Sequence, residues 1–209
     1  MKIISANWIV TCDENNSIIK NGAVVFTDKI QEVDTLLNIE KKYPNIEITK
    51  LAKNSVLMPG LINSHIHLEF SGNTTTLKYG NFYSWLNSVI KHREDLISKA
   101  NTKLILSKLS KMKRTGTTTI GAISSYSFDL DACVKSPLNK VFFCEVIGTK
   151  GDMIDTLFAD FKDRLNIAKK YKSANFIPAI AIHSPYSVHP FLVRETLKLA
   201  REENLPVTS

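Results

Sequence analysis

Cysteine is scarce in this chain of 209 residues, which contains only Cys12, Cys133 and Cys144. An odd number of cysteines without a C-x-x-C spacing argues against a regular disulfide framework and against a zinc knuckle. Unpaired thiols are typical of proteins from a reducing compartment. We therefore expect a protein without structural disulfides.

The sequence also lacks a long hydrophobic run. None of its apolar segments approaches the ~18–20 residues that a membrane-spanning helix needs. Polar residues interrupt the first ten positions, so the basic and then apolar pattern of a signal peptide is missing as well. These absences predict a cytoplasmic protein with no membrane partner.

No charge of one sign is concentrated anywhere in the chain. Lysine and arginine total 27 and aspartate and glutamate total 20, a net charge of +7. The basic residues are scattered and usually have acidic neighbours, as at 91–95 and 162–164. Nucleic-acid-binding proteins cluster their basic residues or interleave them with aromatic residues, so we expect no nucleic-acid partner.

Residues 1–56 are predicted to form short strands separated by turns. The strands are 3–11, 18–27 and 46–57, with a charged helical interval before the third. A few strands without a covering layer are marginally stable, so this segment is expected to need partners from elsewhere in the protein.

From residue 57 onward, strands alternate with helices. The predicted strands are 61–67, 117–124, 141–147, 176–182 and 206–209, and the predicted helices are 82–98, 102–114, 129–135, 155–171 and 190–203. These strands are mostly apolar without alternation, which is typical of a parallel sheet covered by helices. The pattern predicts an α/β fold with four strand-and-helix units and the start of a fifth strand. At 209 residues the chain is shorter than the ~250 of a complete (β/α)8 barrel.

His65 and His67 are the strongest local signal for chemistry. Side chains two positions apart on a strand point to the same face. Two imidazoles at the carboxyl end of a parallel strand supply half of a divalent metal site, at the edge where α/β barrels carry their active sites. The same pair also arises by chance at strand ends, so the spacing alone leaves both interpretations open.

The sequence around this pair resembles the amidohydrolase superfamily, in the branch that contains cytosine, guanine and adenosine-type deaminases and chlorohydrolases. The similar segments are VVFTDKIQEV at 24–33, VLMPGLINSHIHLEF at 56–70, TGTTTIGAIS at 115–124 and HSPYSV at 183–188. The resemblance implies the N-terminal part of a (β/α)8 TIM-type metal-dependent hydrolase barrel preceded by strands of a small β-sandwich domain. Residues 1–56 would belong to the sandwich and 57–209 to the first half of the barrel.

The resemblance also implies a metal site. His65 and His67 would be the first two ligands of a single divalent ion, because strand 176–182 lacks the lysine that bridges two metals in binuclear members. Imidazole ligands favour zinc, with iron and manganese as alternatives. Such an ion lowers the pKa of a bound water to about 7 and prepares it to attack a ring carbon that bears an amine.

The other ligands and the acid–base groups of the family lie on its fifth, sixth and eighth barrel strands. They are a histidine followed three residues later by a glutamate, a second histidine and an aspartate. None of them is found in residues 1–209. The resemblance therefore implies that these residues are the first part of a longer protein and are incomplete for catalysis by themselves.

Two residues would contact substrate by the same resemblance. Glu94, nine residues after Trp85, matches the glutamate that holds the ribose hydroxyls in adenosine-type deaminases. A carboxylate is well suited to accept two hydroxyl protons, although a surface acid is the common alternative. His183 matches a histidine that contacts substrate, whereas His189 is expected near the cap of the next helix.

Within the branch, the motifs HIHLEFSGN at 65–73 and HSPYSVHP at 183–190 look most similar to the aminofutalosine deaminases of the alternative menaquinone pathway. Those enzymes hydrolyse aminodeoxyfutalosine to futalosine and ammonia, so the expected partner is a small nucleoside. The alternatives are an S-adenosylhomocysteine or methylthioadenosine deaminase, a chlorohydrolase-like enzyme, and a catalytically inactive barrel that serves as a binding module. Whether the protein forms a homo-oligomer is left open.

Overall fold

The structure is a computed structural model that describes residues 1–184 and 186–209. The chain divides into two compact units, Met1–Gly60 and Leu61–Ser209. Each unit has a sheet of its own. The two are therefore described separately.

The first unit is a five-stranded sheet with one helix. Its elements are β1 (Lys2–Val10), β2 (Ile18–Phe26), β3 (Ile30–Thr35), α1 (Leu36–Lys42), β4 (Ile48–Lys50) and β5 (Val56–Leu57). β1 is central, because it pairs antiparallel with β2 on one side and parallel with both β4 and β5 on the other. The buried residues form two clusters, with Ile3 and Val25 in one and Ile9 and Val24 in the other.

Two details of this unit differ from the prediction. The charged interval contains a strand, β3, before the helix, and β3 pairs antiparallel with β2. Its sequence IQEVDT has few apolar residues, and no residue of the strand is fully buried. The hydrophobic pattern that predicts a strand is therefore weak here. The predicted strand 46–57 is instead two short strands, β4 and β5, separated by exposed residues.

The second unit alternates parallel strands with helices. Its strands are β6 (Leu61–Ile66), β7 (Thr117–Ser124), β8 (Asn139–Val146), β9 (Phe176–Ile182) and β10 (Val207–Thr208), and its helices are α2 (Phe82–Lys99), α3 (Thr102–Arg114), α4 (Leu130–Lys135), α5 (Ile154–Lys169) and α6 (Pro190–Glu202). The strands lie in the order β10-β9-β8-β7-β6 and every pair is parallel. The predicted α/β fold is confirmed.

The core of this unit lies between the sheet and the helices. Phe142 of β8 stacks on Phe176 of β9 with ring centroids 5.4 Å apart, and Phe161 of α5 is completely buried. Burying an aromatic side chain of this size contributes roughly 2–3 kcal/mol.

None of the helices formed by the described residues combines the length and the hydrophobicity needed to span a membrane.

Local sequence signals fix where the helices begin and end. The side chains of Asn81 and Asn101 accept hydrogen bonds from backbone N–H groups of the first turns of α2 and α3, as preferred N-cap residues do. Gly116 follows α3 with φ +99°, a conformation that glycine adopts without strain. Its carbonyl then accepts a hydrogen bond from the N–H of Leu61 at the start of β6.

Candidate active site

The candidate site lies at the carboxyl ends of the parallel strands. His65 is on β6 and His67 follows it, Ser125 follows β7, Glu145 is near the end of β8, and His183 follows β9. Because the strands are parallel and adjacent, these ends lie at one edge of the sheet. The fold thus gathers polar residues that are up to 118 positions apart in the sequence.

His65 and His67 converge as the sequence predicts. Their Nε2 atoms lie 3.2 Å apart. Two nitrogen ligands of a tetrahedral zinc ion lie about 3.3 Å apart at Zn–N distances of about 2.0–2.1 Å. The same distance also allows a hydrogen bond between two neutral rings, so the pair is compatible with a metal ion and with a direct hydrogen bond.

The environment of His67 favours the neutral ring that metal binding requires. Burial lowers the pKa of His67, and its electrostatic interactions with His65, His183 and Arg93 add to this effect, while the negative charge of Glu145 opposes it. The Nδ1 atom of His67 is buried and has no hydrogen-bond partner among the described residues. Metal-binding histidines usually donate their second ring N–H to a carboxylate, a carbonyl or a water, and the Nδ1 atom of His67 makes no such bond to the described residues. The metal interpretation of His67 therefore rests on the distance between the two Nε2 atoms and on burial.

Glu69, two residues after His67, is completely buried. It lies in a single 3-10 turn, Leu68–Phe70, that His67 begins. Its Oε2 accepts a hydrogen bond from the N–H of Ser125 at 3.0 Å, and its Oε1 accepts one from the N–H of Tyr126 at 2.7 Å. The pKa of Glu69 is raised overall, because the effect of burial exceeds that of the two N–H donors and Arg93, which lower it.

Two serines at the end of β7 each donate to a different buried carboxyl group. Ser125 Oγ donates to Glu145 Oε2 at 2.5 Å, and Ser124 Oγ donates to Asp129 Oδ1 at 2.5 Å. The loop after β7 therefore contacts the buried acids Glu69 and Glu145 and ends at a third buried acid, Asp129.

Asp129 is the most perturbed of these acids. Burial, and secondly the negative charge of Glu69, raise the pKa of Asp129 to about 7, although the hydrogen bond from Ser124 opposes this effect. Its Oδ2 is buried without a partner among the described residues. The protonated acid is therefore the favoured form below neutral pH.

Arg93 of α2 supplies positive charge near Glu69. Its guanidinium lies over the ring of Tyr126, 4.9 Å from the ring centroid. Tyr126 in turn stacks on Phe128, with centroids 5.7 Å apart, and both rings are exposed. The loop after β7 thus carries an exposed aromatic surface.

His183 is half-buried after β9. Its Nδ1 lies 2.5 Å from Ser187 Oγ and 3.0 Å from Ser184 Oγ, and its backbone N–H donates to the carbonyl of Val146. These contacts occupy Nδ1 and leave Nε2 for another partner. Pro185, which belongs to the predicted motif at 183–188, lies outside the described residues.

Glu94 is exposed on α2, next to Arg93. It is not among the charges that chiefly shift the pKa of His67, whereas His183 is. His189 is the N-cap of α6, where its Nδ1 accepts a hydrogen bond from the N–H of Phe191 at 3.2 Å. This confirms the predicted capping role of His189.

The buried acids were missed in the sequence. Glu145 interrupts the apolar run VFFCEVIG, and Glu69 follows the two histidines within HIHLEF. A lone acid in an otherwise apolar strand signals a buried partner, since an unpaired buried carboxylate is costly. The partners themselves, two backbone N–H groups and two serines, cannot be read from sequence patterns.

The second unit and its site define a member of the amidohydrolase family. The family model described as "Amidohydrolase family" matches residues 56–209, and the chain belongs to this family, as the sequence predicts. Members of the family are metal-dependent. Among the described residues, however, no three histidine, cysteine, aspartate or glutamate side chains converge as a metal site.

Individual relatives are deaminases. The aminodeoxyfutalosine deaminase of a Nitratiruptor species is 46% identical over 202 residues, which are 97% of this chain and 49% of that protein. The crystal structure of Helicobacter pylori aminofutalosine deaminase with methylthio-coformycin superimposes with a TM-score of 0.90 and 29% identity, over 99% of this chain and 50% of the other. The chain thus spans about half the length of the curated relatives that it matches.

A more distant structure shares the fold alone. The atrazine chlorohydrolase of Arthrobacter aurescens TC1, solved with zinc, is 16% identical and superimposes with a TM-score of 0.78 over 99% of this chain and 52% of the other. Together these likenesses confirm that the parallel sheet of the second unit is part of a (β/α)8 barrel.

Proposed function

We propose that the full-length protein is a metal-dependent hydrolytic deaminase that converts aminodeoxyfutalosine to futalosine and ammonia. The observation that carries the choice of substrate is the 46% identity to an aminodeoxyfutalosine deaminase across nearly the whole chain. A Helicobacter pylori adenosine deaminase is 31% identical, and two methylthioadenosine/S-adenosylhomocysteine deaminases are 27% and 26% identical. Their substrates are therefore the second candidates.

The metal assignment is supported by the convergence of His65 and His67 and by the low pKa that burial gives His67. A divalent ion, zinc by preference, would activate a water for attack on the ring carbon that bears the amine. Two imidazoles do not complete a tetrahedral site, and the proposal assigns the remaining ligands and the acid–base groups to residues outside 1–209.

The part of this chain in the reaction is to hold the metal and to orient the nucleoside. His65 and His67 present Nε2 atoms to one point. His183 has its Nδ1 occupied by serine hydroxyls, which leaves Nε2 to contact the substrate. Glu94, exposed on α2, would accept hydrogen bonds from the ribose hydroxyls.

The proposal is tested by ammonia release from the full-length protein with four substrates: aminodeoxyfutalosine, methylthioadenosine, S-adenosylhomocysteine and adenosine. We expect the highest kcat/KM for aminodeoxyfutalosine and no turnover by the His67→Ala variant. A higher kcat/KM for another nucleoside would overturn the assignment of aminodeoxyfutalosine as the substrate. Absence of both metal and turnover in the purified protein would favour a binding module instead.

A further inference from the structure

Glu69 is a completely buried acid two residues from a proposed metal ligand. Burying a carboxyl group costs free energy unless its oxygens are hydrogen-bonded. At this position an apolar residue would fill the same space without that cost. The contacts of Glu69 therefore need an explanation beyond packing.

Both oxygens of Glu69 are used by consecutive backbone N–H groups, those of Ser125 and Tyr126. These residues are 56 and 57 positions away in the sequence. The carboxyl group thus joins the turn after β6 to the loop after β7. Two hydrogen bonds to neighbouring N–H groups fix both the position and the rotation of the carboxyl plane.

The connection continues to the next strand. Ser125, which binds Glu69 through its N–H, donates its hydroxyl to Glu145 on β8. Arg93 contributes positive charge near Glu69. The carboxyl ends of three consecutive strands are therefore linked through buried hydrogen bonds, and the turn that begins at His67 is the first member of this chain of contacts.

We propose that Glu69 is a positioning residue for the metal site. By fastening the turn Leu68–Phe70 to the loop after β7, it holds the imidazole of His67 so that its Nε2 faces that of His65. The inference rests on the proposed function, because it requires that these two histidines bind a metal ion. Partners that orient metal ligands typically change metal affinity by about 10–100-fold when they are removed.

The test measures metal binding by the full-length protein and three variants. Zn²⁺ affinity is obtained by competition with a chromophoric chelator, and the absorption spectrum of the Co²⁺ form reports ligand geometry. We expect Glu69→Ala to bind Zn²⁺ about 10–100-fold more weakly and to alter the Co²⁺ spectrum. Glu69→Gln keeps one acceptor oxygen but turns an NH2 group towards a backbone N–H, so a smaller loss is expected.

Lys140→Met is the matched control. Lys140 is also buried and donates to a backbone carbonyl, that of Ser136 at 2.7 Å. It lies near the start of β8, at the end of the sheet away from the histidines. Its removal should lower the free energy of unfolding and leave the Zn²⁺ affinity and the Co²⁺ spectrum unchanged.

The outcomes separate this inference from the proposed function. If the unmodified protein binds no Zn²⁺, the proposed function fails. If it binds Zn²⁺ and both Glu69 variants bind equally well with the same Co²⁺ spectrum, the positioning role is wrong. Equal losses in the Glu69 variants and in Lys140→Met would also overturn it, since they would reflect stability alone. If Glu69→Ala does not fold, Glu69→Gln decides by the same criteria.

Discussion

Gly121 of β7 packs directly against the backbone carbonyl group of Ser64 on β6, one residue before His65. A Cβ atom at Gly121 would overlap the carbonyl oxygen of Ser64 and would lie 2.8 Å from its carbonyl carbon. Neither group is the flexible end of a side chain. The absence of a side chain at Gly121 therefore allows the strand that carries His65 to approach β7.

Gly121→Ala should consequently destabilise the second unit and displace the strand with the histidines. Overpacking of this kind costs about 1–3 kcal/mol or more. Urea unfolding of the full-length protein measures the loss, and metal content measures the displacement. Gly151→Ala is the control, because a Cβ there would meet only an atom 4.0 Å away; equal stability of Gly121→Ala and the parent protein would contradict the prediction.

Replacement of either histidine should remove the metal ion. His65→Ala or His67→Ala deletes a nitrogen that faces the other, so the loss of affinity should exceed the ~10–100-fold typical of residues that only support a ligand. Elemental analysis of the purified variants measures this. His92→Ala, a histidine change on α2, should keep its metal. Normal metal content in either of the first two variants would remove that residue from the ligand set.

Glu94→Gln should weaken nucleoside binding without affecting metal content. Loss of the charge on a carboxylate that accepts two hydroxyl protons costs roughly 1.5–3 kcal/mol, or about 10–100-fold in KM. Steady-state kinetics with aminodeoxyfutalosine test this. Asp95→Asn changes the next residue, which pairs with Lys99 at 2.6 Å, and should leave KM unchanged. The same KM for both variants would make Glu94 an ordinary surface acid.

Asp129 should make folding stability depend on pH. Its pKa is about 7 in the folded protein against an ordinary value of 3.8, so between these values the folded state binds more protons than the unfolded state. The contribution of Asp129 to the free energy of unfolding is therefore greatest below pH 4, and it falls as the pH rises to 7 and slightly above. The total effect is of the order of a few kcal/mol.

Asp129→Asn abolishes this titration. Glu69 and Cys133, whose pKa values are also raised, remain in both proteins, so the difference between the two proteins reports Asp129 together with its interaction with Glu69. Urea midpoints at pH 5 and pH 7.5 should differ more for the parent protein than for the variant. Identical pH dependence in the two would show that Asp129 does not titrate in this range.

Much of the second unit could be predicted from local patterns. Continuous apolar runs gave β9 at its observed bounds, and the limits of α3 followed from its helical periodicity and from Gly116. The first unit was harder, because β3 has no fully buried residue and the segment 46–57 reads as one strand although it forms two. Periodicity reports burial, and it is weak where strands are short or exposed.

In the candidate site, too, some features follow from local sequence and others only from the tertiary structure. The spacing of His65 and His67 determines that both rings face one side, since strand geometry alternates side chains. Only the tertiary structure decides what surrounds them. The contacts of Glu69 with Ser125 and Tyr126 and of Ser125 with Glu145 join residues that are 20 to 57 positions apart. Such contacts depend on which strands lie side by side, a property of the folded sheet that no local stretch of sequence encodes.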